Sequence, residues 1–298
     1  MTRLQPATLL GFLAVLLWSS MFAFSRLLTE ALGTYTTGAI IYILGGGLGL
    51  AVASRQPFGL AQILRRPARY FLVCGPLFIG YMVFVYLAIG LAASHAEVVA
   101  VALANYLWPS LIMLFSIPIL GNRARIWLLP GILLALAGTW LATLISQGQD
   151  VNLSAISRID FLPVGLAALA AILWALYSTL ARKWAAQQGS AVPVFLLASG
   201  LVFLLLRLFS QEDSRWEMAL LPPALYLIIF PAWLGYLFWD TAMQRGDMTL
   251  VTAFSYFTPL LSTLISLLVL QVTPSPLLGL AALLVTAGAV VSKLSILE

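Results

Sequence analysis

The chain has 298 residues, 62% of them hydrophobic and only 8% charged, with 15 Lys and Arg against 10 Asp and Glu for a net charge of +5. A water-soluble domain carries about 25% charged residues, so composition excludes a soluble fold of this size. A single cysteine, Cys74, and a single histidine, His95, exclude an internal disulfide and a multi-histidine metal centre, and the basic residues are too scattered for nucleic-acid binding.

A spanning helix needs about 20 predominantly apolar residues. Breaks at charged or Pro/Gly-rich punctuation divide the chain into ten such stretches, at 7–25, 32–53, 70–92, 97–120, 126–146, 161–181, 191–209, 220–243, 248–270 and 276–294. The first, after Arg3, has the outline of a signal peptide, but it runs on through Trp18 and Phe24 without a convincing small-x-small cleavage site. It is therefore read as the first span. Backbone exposed to lipid must be paired internally, and the short alternating segments of a barrel are missing, so the spans are predicted to be helices. Only Ala93 to Ala96 separates the third from the fourth.

The fourth stretch holds Asn105, Tyr106, Leu107, Trp108 and Pro109 at mid-depth. A segment facing lipid needs none of these polar and aromatic groups, so the run is expected to line a cavity. Basic residues test the division independently. Arg3, Arg55, Arg65, Arg66, Arg69, Arg123, Arg125, Arg182, Lys183, Arg245 and Lys293 fall on one side, eleven in all, against Arg26, Arg158, Arg207 and Arg215 on the other. The positive-inside rule then places both termini in the cytoplasm.

The ten spans also repeat. Trp18 and Arg26 correspond to Trp174 and Arg182, 156 positions on; Gly80 and Tyr81 to Gly235 and Tyr236, 155 on; Tyr106 and Pro109 to Tyr256 and Pro259, 150 on; and Gly138 to Gly288, again 150 on. Five helices per half is an odd number, so the second half enters the membrane from the opposite side. The expected architecture is an all-α membrane protein of two inverted five-helix repeats, 1–150 and 151–298, around a central cavity.

With this arrangement the chain resembles the drug/metabolite transporter superfamily, specifically its EamA-type members. The run Ala104 to Pro109 looks more narrowly like the YddG-type aromatic amino acid exporters. Many members carry Gly-Glu after each mid-helix proline, whereas here Gly121 is followed by Asn122 and Gln271 by Val272. The resemblance implies a multi-pass exporter of the cell inner membrane that moves amino acids and related metabolites by alternating access. Its partners would be a small neutral or aromatic amino acid and membrane lipid; no cofactor is implied, and the oligomeric state stays open, a monomer included.

Helical spacing puts Glu97, Val101, Asn105 and Trp108 on one stripe, Thr252, Ser255, Tyr256 and Pro259 on the equivalent one, and Trp233, Tyr236 and Asp240 together in the eighth span. The candidate substrate-binding residues are Trp18, Tyr81, Asn105, Tyr106, Trp108, Trp174, Tyr177, Tyr236, Ser255 and Tyr256, with interhelical packing as the competing explanation. His95, Glu97 and Asp240 are candidate gate or proton sites, set against a solvated turn for the first two and, for the third, snorkelling to the nearby cytoplasmic end or a local ion pair, with Arg245 near. Arg26 and Arg182 are read as helix-end anchors, and Pro109 and Pro259 as candidate hinges. A proton-coupled organic-cation exporter using Asp240 and a bundle without transport are the alternatives. An enzyme is not expected, because no Gly-x-Ser-x-Gly motif and no pair of mid-depth carboxylates occur.

Overall fold

The computed structural model describes residues 5–56, 59–146, 160–184, 189–270 and 276–297. Arg3, Arg158, Gln271, Val272 and the expected repeat boundary at 150 lie outside them, as do the side chains of Arg26 and His95.

Pro6 opens α1 (Pro6–Leu32), where its missing N–H costs nothing, and Gly33 closes it at φ +86°. This one residue is the whole turn into α2 (Thr34–Arg55). Glu212, far along the chain, lies over the turn and accepts the Tyr35 and Thr36 amides at 2.7 and 3.1 Å, an acid at the positive end of a helix. A short α3 (Gly59–Leu64) leads to α4 (Ala68–Leu91). The brief Ala93–Ala96 connection then starts α5 (His95–Asn105) with a full capping box: Ser94 Oγ accepts the Glu97 amide, and the Glu97 carboxylate returns to the Ser94 and Ala93 amides.

The fourth stretch is two helices. After α5 the chain turns at Tyr106 and Leu107 and resumes as α6 (Trp108–Leu120), because Pro109 has no N–H to give the Asn105 carbonyl. Beyond it come β1 (Arg123–Ala124), α7 (Leu128–Ser146), α8 (Phe161–Lys183) and α9 (Val192–Leu208). The eighth stretch also differs from a plain helix. A 3-10 turn at Met218–Leu220 leads into α10 (Leu221–Leu227), a π-helical segment Ile228–Gly235 and α11 (Tyr236–Arg245). Pro231 sits in the widened turn, and its carbonyl accepts the Trp18 indole N–H at 3.2 Å. The ninth breaks as the fourth does, into α12 (Met248–Ser255) and α13 (Thr258–Leu270), and the Ser255 carbonyl that Pro259 cannot serve takes the Thr258 hydroxyl at 2.7 Å. Finally α14 (Pro276–Ser295) leads to β2 (Ile296–Leu297), which pairs antiparallel with β1. That ladder is an addition to the all-helical expectation.

Among the described residues, seven helices are long and apolar enough to cross a membrane by length and composition. Val192–Leu208 is a shorter apolar helix, as is the Pro6–Met21 portion of α1. Their packing is reciprocal. On α2 and α9, a β-carbon at Gly46 would meet Leu197 N at 2.5 Å, and one at Gly200 would meet Ile43 N at 2.5 Å. Gly46 to Gly200 and Ile43 to Leu197 are both steps of 154, so one contact is made twice with the partners exchanged. On α7 and α14, Gly138 lies against Val285 and Gly288 against Ala135, and Gly138 to Gly288 and Ala135 to Val285 are both steps of 150. Helix α4 packs on α8, and α1 on the π segment and α11. At one end of the bundle Thr8 Oγ1 accepts the Asp247 amide and Lys293 pairs with Asp247 at 2.9 Å, which brings both termini together.

Candidate functional site: an aromatic cavity at the helix breaks

Four helices bring rings to the middle of the bundle. Trp18 on α1 lies 5.1 Å from Tyr236 and 5.8 Å, edge-on, from Trp174, while Tyr81 on α4 lies 4.8 Å from Trp174. Gly235 makes room for this, since a β-carbon there would meet Trp18 Nε1 at 2.9 Å. Below them, Trp239 touches Trp18 at 5.3 Å and Trp108 at 5.2 Å, is fully buried, and donates its indole N–H to Ser178 Oγ at 3.1 Å. Tilted and edge-to-face rings at these distances form a packed floor.

A cavity of about 150 Å³ sits among these rings, walled by Trp18, Met21, Tyr81, Asn105, Tyr106, Trp108, Trp174, Tyr236 and Thr258. It adjoins a chamber of about 370 Å³ that shares six of those residues and runs past Ser25, Thr29, Thr34, Val85 and Ile89, toward the end of the bundle away from the termini. Among the described lining residues none carries a formal charge. Asn105 Oδ1 is buried and has no hydrogen-bond partner. It ends α5 at the break, so a free acceptor stands on the wall of an otherwise aromatic cavity.

Seven of the ten residues expected to bind substrate thus line one space: Trp18, Tyr81, Asn105, Tyr106, Trp108, Trp174 and Tyr236. Three stand elsewhere. Tyr177 is buried below the floor and donates to Asp240 at 2.9 Å. Ser255 donates to the Thr252 carbonyl, and Tyr256, 1% exposed, shares a 2.8 Å hydrogen bond with Ser110 and accepts Thr139 at its carbonyl. Sequence reasoning passes over Trp239, although it lies one helical turn after Tyr236 and therefore on the same face.

The charged candidates also have definite partners. The Asp240 carboxylate is met by Tyr177, Ser190 and Gln244, and Arg66, distant in sequence, joins this network by donating to Gln244 at 2.8 Å. Glu97, ahead of the apolar window Ala100–Leu120, joins α5 to the start of α8 by accepting the Asp160 amide at 3.2 Å. That amide, then those of Ala93 and Ser94, hold its carboxyl below the usual range. Arg182 donates one nitrogen to the carbonyls of Met243, Gln244 and Gly246, at the end of α11. Pro109 and Pro259 both lie just past a helix break.

Comparison with known proteins gives a consistent picture. The sequence model of the EamA-like transporter family matches residues 5–144 and again 162–294. The chain is 33% identical to the aromatic amino acid exporter YddG of Escherichia coli (strain K12), over 99% of both chains. It is 34% identical to the exporter of that name from Ancylobacter novellus, over 97% of this chain and 98% of the relative. The exporter of that name from Salmonella typhimurium is 31% identical, over 90% and 89%. A solved protein crystal structure superposes with a TM-score of 0.81 at 30% identity, covering 97% of each chain.

Proposed function

The chain belongs to the EamA-like transporter family, and on that premise we propose that it exports aromatic and other neutral amino acids across the bacterial inner membrane by alternating access. The observation that carries this is the cavity. A space of about 150 Å³ walled by apolar rings accepts a benzene-sized group, and the adjoining chamber of about 370 Å³ leaves room for the remainder of an amino acid. Uncharged walls suit a substrate with no net charge, and Asn105 Oδ1 offers an acceptor to an ammonium group. The relatives named as aromatic amino acid exporters support the same reading.

Two inverted five-helix repeats, 1–150 and 151–298, are part of the proposal. The exchanged glycine contacts on α2 with α9 and on α7 with α14 are what a two-fold axis in the membrane plane requires, and the family's sequence model matches once in each half. The positive-inside rule places the end bearing the termini in the cytoplasm. The chamber then faces outward, the side of release, and the cytoplasmic side is shut beneath Trp239. Asp240 stands apart from the cavity lining, which weighs against its binding an organic cation there.

The test is flux from the purified protein in liposomes, using labelled Trp, Phe, Leu, Lys and Glu. Trp and Phe should move down their gradients faster than Lys or Glu, and Trp108→Ala should slow them without reducing the amount of folded protein. A folded, inserted protein that passes no neutral amino acid would refute the proposal.

A further inference from the structure

Asp240 has no part in the cavity, yet it is 1% exposed and fully engaged. Its Oδ1 accepts the Tyr177 hydroxyl at 2.9 Å; its Oδ2 accepts Gln244 Nε2 at 2.7 Å and the Ser190 hydroxyl. Gln244 Oε1 accepts Arg66 Nη2, and Arg66 Nε donates to the Gly189 carbonyl, both at 2.8 Å. The knot therefore ties four segments: α8, the strand of chain entering α9, α11, and the stretch after α3. Tyr177 is three residues past Trp174 and Asp240 four past Tyr236, on helices that both run toward the termini. The knot lies directly beneath the aromatic floor, on the closed side.

The repeat correspondence says what these positions do in the other half. Trp18 to Trp174 is a step of 156 and Tyr81 to Tyr236 one of 155. Tyr177, Asp240 and Gln244 therefore answer to Met21, Val85 and Ile89. All three of those line the open chamber. Equivalent positions are drawn together by hydrogen bonds at one end and surround open space at the other.

We propose that Tyr177, Asp240, Gln244 and Arg66 form the lock of the cytoplasmic end, which breaks when the cavity turns inward while Met21, Val85 and Ile89 close on one another outside. The inference rests on the proposed inverted-repeat architecture. The two closures differ in chemistry. The inner one is a hydrogen-bonded carboxylate and the outer one is apolar, so the resting protein favours the outward-facing state of this structure. Asp240 is thus a positioning residue that acts through the equilibrium between states and not by touching substrate.

Cys74, the sole cysteine, reports the lock without engineering. It is fully buried on α4 between Tyr70 and Phe78, whose ring lies 5.1 Å from Tyr177. In inside-out vesicles of the full-length protein, an impermeant maleimide should label wild-type Cys74 slowly. Asp240→Asn and the gentler Tyr177→Phe should each raise the rate by about fivefold or more, as loss of a hydrogen bond to a charged group shifts a two-state equilibrium. Unchanged labelling in both folded variants would overturn the lock, and lost transport with unchanged labelling would make Asp240 a ligand for substrate or ion instead. The double variant M21Y/V85D writes the lock into the outer end and should also speed Cys74 labelling. If D240N speeds labelling and M21Y/V85D does not, the correspondence of the two ends is refuted while the inner lock stands.

Discussion

Replacing Tyr256 by Phe removes one hydroxyl from a residue whose repeat mate, Tyr106, lines the cavity. The two tyrosines are expected to respond differently, because Tyr256 is 1% exposed and spends its hydroxyl on Ser110, itself 3% exposed, at 2.8 Å. Y256F leaves the Ser110 hydroxyl stranded. In water-soluble proteins a stranded buried group costs about 1–3 kcal/mol. Within a membrane the unfolded helices also find partners, and measured pairs average about 0.6 kcal/mol with a maximum near 1.7. A loss of about 1 kcal/mol is therefore expected, roughly fivefold in the folded-to-unfolded ratio. Ser110→Ala should cost a similar amount, and the double variant about as much as either alone, because the partners are then removed together. Unfolding in mixed micelles by a denaturing detergent, followed by tryptophan fluorescence, measures all three, with liposome flux per folded molecule alongside. Additive losses would refute the hydrogen bond. A fall in flux as large as that of Tyr106→Ala would refute the division of labour between the two tyrosines.

Two further changes test the scaffold. Gly200→Ala places a β-carbon 2.5 Å from the Ile43 backbone nitrogen, so α2 and α9 must separate at a cost of about 1–3 kcal/mol, whereas Gly47→Ala, with nothing within 4 Å, should be neutral or slightly stabilising; equal midpoints for the two would remove the close approach. Because amide donors hold the folded-state pKa of Glu97 below its unfolded value, its contribution to stability is present above the unfolded pKa and is lost as pH falls through the folded one. Acid unfolding between about pH 5 and the folded value should thus be shallower in Glu97→Gln than in the wild type, and parallel curves would show that the cap contributes nothing.

What the sequence disclosed was depth, and what it withheld was partnership. Periodicity and hydropathy are properties of one helix, so they placed Trp108 at mid-depth and left Trp18, Tyr81 and Trp174 as candidates on other spans, which the structure gathers around one cavity. They put Tyr106 and Tyr256 on equivalent footing, because the hydroxyl that removes Tyr256 from the cavity belongs to Ser110, 146 residues away. Asp240 is hidden in the same way: the Arg66 of its network arrives from another part of the chain. The eighth stretch misled more locally. A π turn inserts an extra residue, which rotates the helix on its N-terminal side by about 100° relative to the helix on its C-terminal side. Trp233 therefore leaves the stripe it would share with Tyr236 and Asp240 and turns to Gly49 on α2, while Trp239, on α11 with Tyr236, reaches Trp18. The capping box is legible in full, since Ser94 and Glu97 stand three apart before an apolar run. A lone histidine between them diverts attention to chemistry instead.

The departures from symmetry bear on direction. A transporter built from two identical halves would have one closure used twice and no preference between its states. Here the positions that hold Tyr177, Asp240 and Gln244 at one end hold Met21, Val85 and Ile89 at the other, and the ring that lines the cavity at Tyr106 is diverted to Ser110 at Tyr256. Each difference leaves the shared backbone arrangement intact while changing what one end is held by. On the proposed mechanism, a bias toward the outward-facing state would therefore come from a few side chains and not from the fold. The same side chains would then set how much differential binding energy a substrate, held by the rings and Asn105 as proposed, must supply to bring the cavity round to the other face.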